Sequence, residues 1–178
     1  MAIVSCSFVL VFILSIVSVP HFINASSVSD ACTKAAASSP TINHDFCVTS
    51  LQADPKSRSV NFVGLAQIAT ELTSKNATST KAKINNLLAN PGNGNNNIKP
   101  ELSTCLDLYS DMIDHLSDAA RAISSFRYDD AKTYLSAALD APSDCEDAFS
   151  EKGTGSVLSK EDSNATQLSA IALALLNI

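Results

Sequence analysis

Apolar side chains recur at alternating steps of three and four along most of the chain, the spacing that gathers them on one face of a helix. Leu102, Cys105, Tyr109, Met112, Leu116, Ala119 and Ile123 make one such stripe. Ala131, Leu135, Ala138, Pro142, Cys145 and Phe149 make a second, and Leu168, Ile171, Leu175 and Ile178 a third. Between Ser59 and Asn90 the pattern is weaker: Leu65, Ile68 and Leu72, then a slip before Ala77, Thr80, Ile84 and Leu87. That segment has no proline and only Gly64, so it is also read as helix. No alternating β-branched run marks a strand beyond the N-terminal segment.

The breaks between stripes fix the architecture. The segment "NPGNGNNNIKP" (residues 90–100) supplies Gly and Asn to turn the chain, and Pro100 suits the first turn of the next helix. "FRYDDAK" links the second and third long helices, and "EKGTGSVLSKEDSN" leads to the last. Short links favour antiparallel neighbours, so residues 57–178 are predicted to form an up-and-down four-helix bundle. Ahead of it, residues 26–56 read as a helical hairpin: pieces near 28–37 and 41–53 joined at Ser38-Ser39-Pro40. The fold class is all-α. Pro142 removes a backbone hydrogen bond and clashes with the preceding turn, costing about 3 kcal/mol, so a kink or break is expected there.

The first residues change the compartment. An apolar run from Ala2 to Val19 without acid or base, then a polar segment, reads as a secretory signal peptide over residues 1–25, with Ala25 the last residue removed. Cys6 would leave with it. The four remaining cysteines, Cys32, Cys47, Cys105 and Cys145, are an even set that a secreted protein turns into two disulfides. If the chain folds back at residues 127–130, Cys105 and Cys145 lie about 32 and 24 Å from the turn, a mismatch of about one and a half helical turns. Register therefore permits Cys105 with Cys145 and leaves the other two connectivities open. Secretion also makes Asn76-Ala77-Thr78 and Asn164-Ala165-Thr166 candidate glycosylation sites.

Charge and motifs narrow the function. A net charge of −6 disfavours nucleic acid and anionic membranes and favours a basic partner. Asp107, Asp111, Asp114 and Asp118 repeat at helical spacing, either as a solvated face or as a surface for such a partner. After the leader only His44 and His115 remain, neither in His-Glu-x-x-His spacing, and no Gly-x-Ser-x-Gly elbow or phosphate loop occurs. The chain is not read as an enzyme, and no metal or cofactor is expected.

Several segments together carry a resemblance: "ACTKAAASSPTINHDFCVTSL", "LSTCLDLYSDMIDHL", "YLSAALDAPSDCEDAF" and the apolar C-terminal helix. The order of cysteines, Phe46 before Cys47, Tyr109 four residues after Cys105, and Ser136-Ala137-Ala138-Leu139 ahead of Cys145-Glu146-Asp147 resemble the plant invertase/pectin methylesterase inhibitor family. That family includes tree-pollen allergens. The resemblance implies disulfides Cys32–Cys47 and Cys105–Cys145. It also implies a secreted protein of the apoplast, or of the vacuole for a vacuolar target, that blocks pectin methylesterase or acid invertase in a 1:1 complex. Members that block invertase carry a Pro-Lys-Phe motif between the second and third bundle helices; the aligned residues here are Tyr128, Asp129 and Asp130. Two acids in place of a cation and a ring reverse the charge presented to an acidic glycosidase cleft. The target is accordingly read as pectin methylesterase, with acid invertase the alternative and Tyr128, Asp129 and Asp130 the target-binding candidates. A lipid carrier or structural wall protein is a remoter reading, since lipid-transfer modules carry more disulfides.

Overall fold

The computed structural model describes residues 27–90, 92 and 95–178. The segment read as a signal peptide, with Cys6 and Ala25, lies outside the described residues. Among the described residues six α-helices follow one another: α1 (Val28–Ser38), α2 (His44–Gln52), α3 (Phe62–Ala89), α4 (Lys99–Ser124), α5 (Tyr128–Glu151) and α6 (Ser159–Leu175). Short 3-10 turns at Pro55–Arg58 and Asn95–Ile98 precede α3 and α4. Among the described residues there is no strand, and no helix is long and apolar enough to cross a membrane. The all-α expectation holds.

Helices α3 to α6 form a four-sided bundle in which each packs on two neighbours, α3 on α4 and α6, α5 on α4 and α6. The stripe of α4 is buried from Leu102 to Ile123, and that of α5 from Ala131 to Phe149. The weak periodicity of α3 has a local cause. Thr70, Thr73 and Thr80 occupy buried positions, each returning its hydroxyl to a carbonyl four residues back at 2.8, 2.8 and 2.9 Å. A polar side chain thus enters the core without an unpaired donor. The α1–α2 hairpin packs mainly on α6, with α2 also touching α3. Side-chain caps fix its helix starts: Ser27 Oγ accepts from Asp30 N–H at 3.0 Å, and Asn43 Oδ1 from Phe46 N–H at 2.9 Å.

Three sequence expectations change. Helix α5 runs unbroken through Pro142, which is buried on the core side. The bond that proline forfeits is offset by Ala138, Ala141, Cys145 and Phe149 packing on the same face, and by the cross-link from Cys145 to α4. The links are also shorter than read: Tyr128 already begins α5 and Ser159 begins α6. Acids in the first turns, Asp129 and Asp130 or Glu161 and Asp162, favour the positive helix end and draw the helices back into segments that look like loops. Ile178 lies past the end of α6 and is 45% exposed, so it closes no stripe.

Helix ends account for the cysteine register. Cys105 precedes Ser124 by 19 residues and Cys145 follows Tyr128 by 17, a difference of only about 3 Å of helix. The two bond to each other with Cα atoms 4.9 Å apart, and Cys32 bonds to Cys47 at 5.7 Å.

Candidate functional site

The turn between α4 and α5 departs from ordinary local chemistry. Helix α4 ends in a Schellman arrangement: Arg127 N–H bonds Ala122 C=O at 2.9 Å and Phe126 N–H bonds Ile123 C=O at 3.0 Å. The residue after the cap must then be left-handed, a place normally filled by glycine. Here it is Phe126, with φ 58°. A bulky residue there costs roughly 1–2 kcal/mol. The same side chain is 79% exposed, which forgoes the burial that an aromatic ring ordinarily gains. Backbone strain opposes folding and a ring left in solvent offsets none of it, so stability does not explain phenylalanine at this position.

The flanking residues hold the knuckle in place. Tyr128 meets the Phe126 ring edge-on, with centroids 6.3 Å apart. Arg127 Nη1 donates to Asp130 Oδ2 at 2.6 Å, and Lys132 Nζ pairs with Asp129 Oδ1 at 2.8 Å. The Lys132 bond and charge hold the Asp129 carboxyl below the usual range although it is fully exposed. Beside the knuckle, Asp118, Arg121, Ser125, Arg127 and Tyr134 line a polar cleft of about 320 Å³. Arg121 is paired there with Asp118, and Tyr134 stacks on His115 at 6.5 Å. Phe126 belongs to neither apolar stripe, so periodicity does not mark it; an aromatic in a turn, out of register with either helix, is the signal that does.

Charge extends the site along both helices. Residues 99–152 carry five Lys and Arg against twelve Asp and Glu, while the rest of the chain carries seven against six. The excess negative charge of the protein therefore lies on the α4–α5 hairpin. Asp107, Asp111 and Asp114 on α4, and Asp140, Asp144, Asp147 and Glu151 on α5, are exposed opposite the buried stripes. None of these seven joins an ion pair among the described residues. Acids spaced three and four apart repel along an isolated helix, and an approaching basic surface relieves that repulsion.

The other candidates lie elsewhere. Cys32, Cys47, Cys105 and Cys145 are all fully buried in disulfides, at the hairpin and at the far end of the α4–α5 pair. Asn76 sits half-buried in the middle of α3 with Oδ1 unpartnered, and Asn164 half-buried in α6. His44 contacts Asp45 at 3.2 Å and Thr33 at 3.4 Å on the hairpin surface. The structure thus brings Tyr128, Asp129 and Asp130 together with Phe126 and keeps them apart from the cysteines.

A family profile described as "Plant invertase/pectin methylesterase inhibitor" matches residues 26–175. A Platanus orientalis protein named "Putative invertase inhibitor" is 38% identical over 154 residues, covering 86% of this chain and 89% of its own. "Pectinesterase inhibitor 12" of Arabidopsis thaliana is 36% identical over 180 residues, covering 94% of this chain and 98% of its own. Among solved structures, a mutant form of a pectin methylesterase inhibitor from Arabidopsis superposes with a TM-score of 0.71 at 26% identity, covering 86% of this chain and 97% of the other.

Proposed function

The chain belongs to the plant invertase/pectin methylesterase inhibitor family, and from that premise we propose that it is a secreted protein that blocks a cell-wall carbohydrate-active enzyme. The enzyme read as its target is pectin methylesterase, held in a 1:1 complex with the α4–α5 hairpin across the active-site cleft. Residues 1–25 are its signal peptide, and Asn76 and Asn164 its candidate glycan sites. Phe126 is the anchor, Tyr128 its support, and Asp129 and Asp130 its charged flank.

The segregated charge carries the choice of target. Pectin is a polygalacturonate, and removing its methyl esters creates carboxylates, so a groove that accommodates the product tolerates negative charge. An acidic hairpin fits such a groove. A glycosidase cleft is built around a carboxylate pair and disfavours Asp129 and Asp130. Acid invertase is the second reading, favoured by the Platanus relatives, which are named for it. Titrating both enzymes with the purified protein separates the two: equimolar loss of pectin methylesterase activity supports the first, and loss of invertase activity alone supports the second. Suppression of neither enzyme would reject the inhibitor reading.

A further inference from the structure

At the opposite end of the α4–α5 hairpin, Asp162 in the first turn of α6 is only 2% exposed. Its Oδ1 accepts from the Tyr109 hydroxyl at 2.5 Å. The neighbour of Oδ2 is Cys145 Sγ at 3.7 Å, and that sulfur, bonded to Cys105, has no hydrogen to donate. Across from it on α5, Glu146 has Oε1 buried without a partner, while Oε2 accepts from Ser159 Oγ at 3.3 Å. Both carboxyls line one cleft of about 400 Å³ between α5 and α6, along with Thr41, Ser143, Ser159 and Gln167. Ser159, one helical turn before Asp162 on α6, ties Glu146 to that same turn across the cleft.

Two ionised carboxylates there would repel and leave two buried acceptors empty. One proton between them removes a charge and supplies the missing donor. We propose that Asp162 and Glu146 share a single proton, and that this proton is a pH-released latch holding α6 against α5.

Among the described residues, the groups around the pair give it no free counter-charge. From α4, Tyr109 is a permanent donor, since burial first and then Asp162 push its ionisation far up. From α3, Thr80 is neutral, and Lys83 is spent on Glu161 Oε2 and Val157 C=O, both at 2.9 Å. On α6, Glu161 adds like charge, and Lys160 acts on Glu161. Burial first, then the neighbouring Glu146 carboxyl, lift Asp162 from an ordinary 3.8 to about 8. The folded state therefore keeps a proton that the unfolded chain gives up. The stabilisation is complete below the unfolded value and is lost as pH rises towards 8. Glu161, which burial raises but Lys83, a backbone hydrogen bond and Lys160 together lower on balance, stays ionised in the folded state and does not disturb that window.

A carboxyl 13C NMR titration of the oxidised wild-type protein tests the latch, joined to thermal unfolding of wild type, D162N and E146Q from pH 5 to 8.5. One carboxyl of the pair is expected to titrate above pH 7, with the wild-type Tm falling by about 10 °C over the range. In D162N the amide donates to Glu146 permanently, so its Tm profile is expected to be flat, and E146Q to behave alike. Both carboxyls titrating below pH 5, or variant profiles parallel to wild type, would overturn the proposal. Should neither variant fold, the wild-type titration decides alone.

Discussion

At one end of the α4–α5 hairpin, Phe126 stands 79% exposed on left-handed backbone; at the other, Tyr109, Cys105, Cys145 and Asp162 are all but sealed from solvent. Both ends break a local rule, and they break it in opposite senses. The turn exposes an apolar ring where glycine would relax the chain. The far end buries a carboxyl where an apolar residue would pack. What differs is compensation: Asp162 has Tyr109, Glu146 and a cross-link around it, whereas the exposed Phe126 ring meets the edge of Tyr128 and is otherwise left to solvent by the described residues. A costly feature woven into its neighbours holds the fold; a costly feature with nothing behind it is kept for what it meets.

That contrast can be broken from either side. The largest effect is expected from opening the buried end. Replacing Cys105 and Cys145 with Ser frees a 40-residue separation, costing about 4 kcal/mol by chain entropy, against about 3 for the 15-residue span of Cys32 and Cys47. Denaturant unfolding of the two double variants checks the order, and inhibition measured well below each midpoint should survive in both. Tyr109→Phe comes next. It strips Asp162 of its donor and is expected to cost about 1–3 kcal/mol at pH 5, again without altering target choice.

Changes at the turn should show the reverse profile. Asp129→Asn with Asp130→Asn removes exposed charges paired with Lys132 and Arg127 in solvent-screened contacts, so the unfolding midpoint should barely move. Binding should nonetheless weaken several-fold, and wild-type binding should weaken with added salt while the doubly neutral variant weakens less. Salt-independent binding would remove the acidic hairpin from the account.

The two ends also differ in how far they were legible beforehand. The stripes of α4 and α5 are amphipathic in a simple repeat, so these helices follow from periodicity, and their antiparallel order from the short links between stripes. The cysteine partners did not follow from register, because helix ends decide it and acids such as Asp129 drew α5 back to Tyr128. Pro142 read as a kink or break; the helix is not broken there, because burial of the α5 face and the cross-link to α4 support it, which no local pattern records. Tyr128, Asp129 and Asp130 were found through resemblance, but Phe126 was not. Its importance lies in a backbone angle and an exposure, and neither is written in the spacing of apolar residues. Asp162 escaped notice for a related reason: its partners Tyr109 and Glu146 are distant in sequence and meet only in the folded bundle.

The central claim is that Phe126 is retained for binding at the expense of stability. It is tested by titrating pectin methylesterase with wild type and F126G while recording the thermal midpoint of each inhibitor. Glycine accepts the left-handed backbone, so F126G is expected to be at least as stable as wild type, by up to about 1 kcal/mol, yet to inhibit at least tenfold more weakly. An F126G protein that inhibits as tightly as wild type, or one whose weaker inhibition accompanies a lower midpoint, would contradict it.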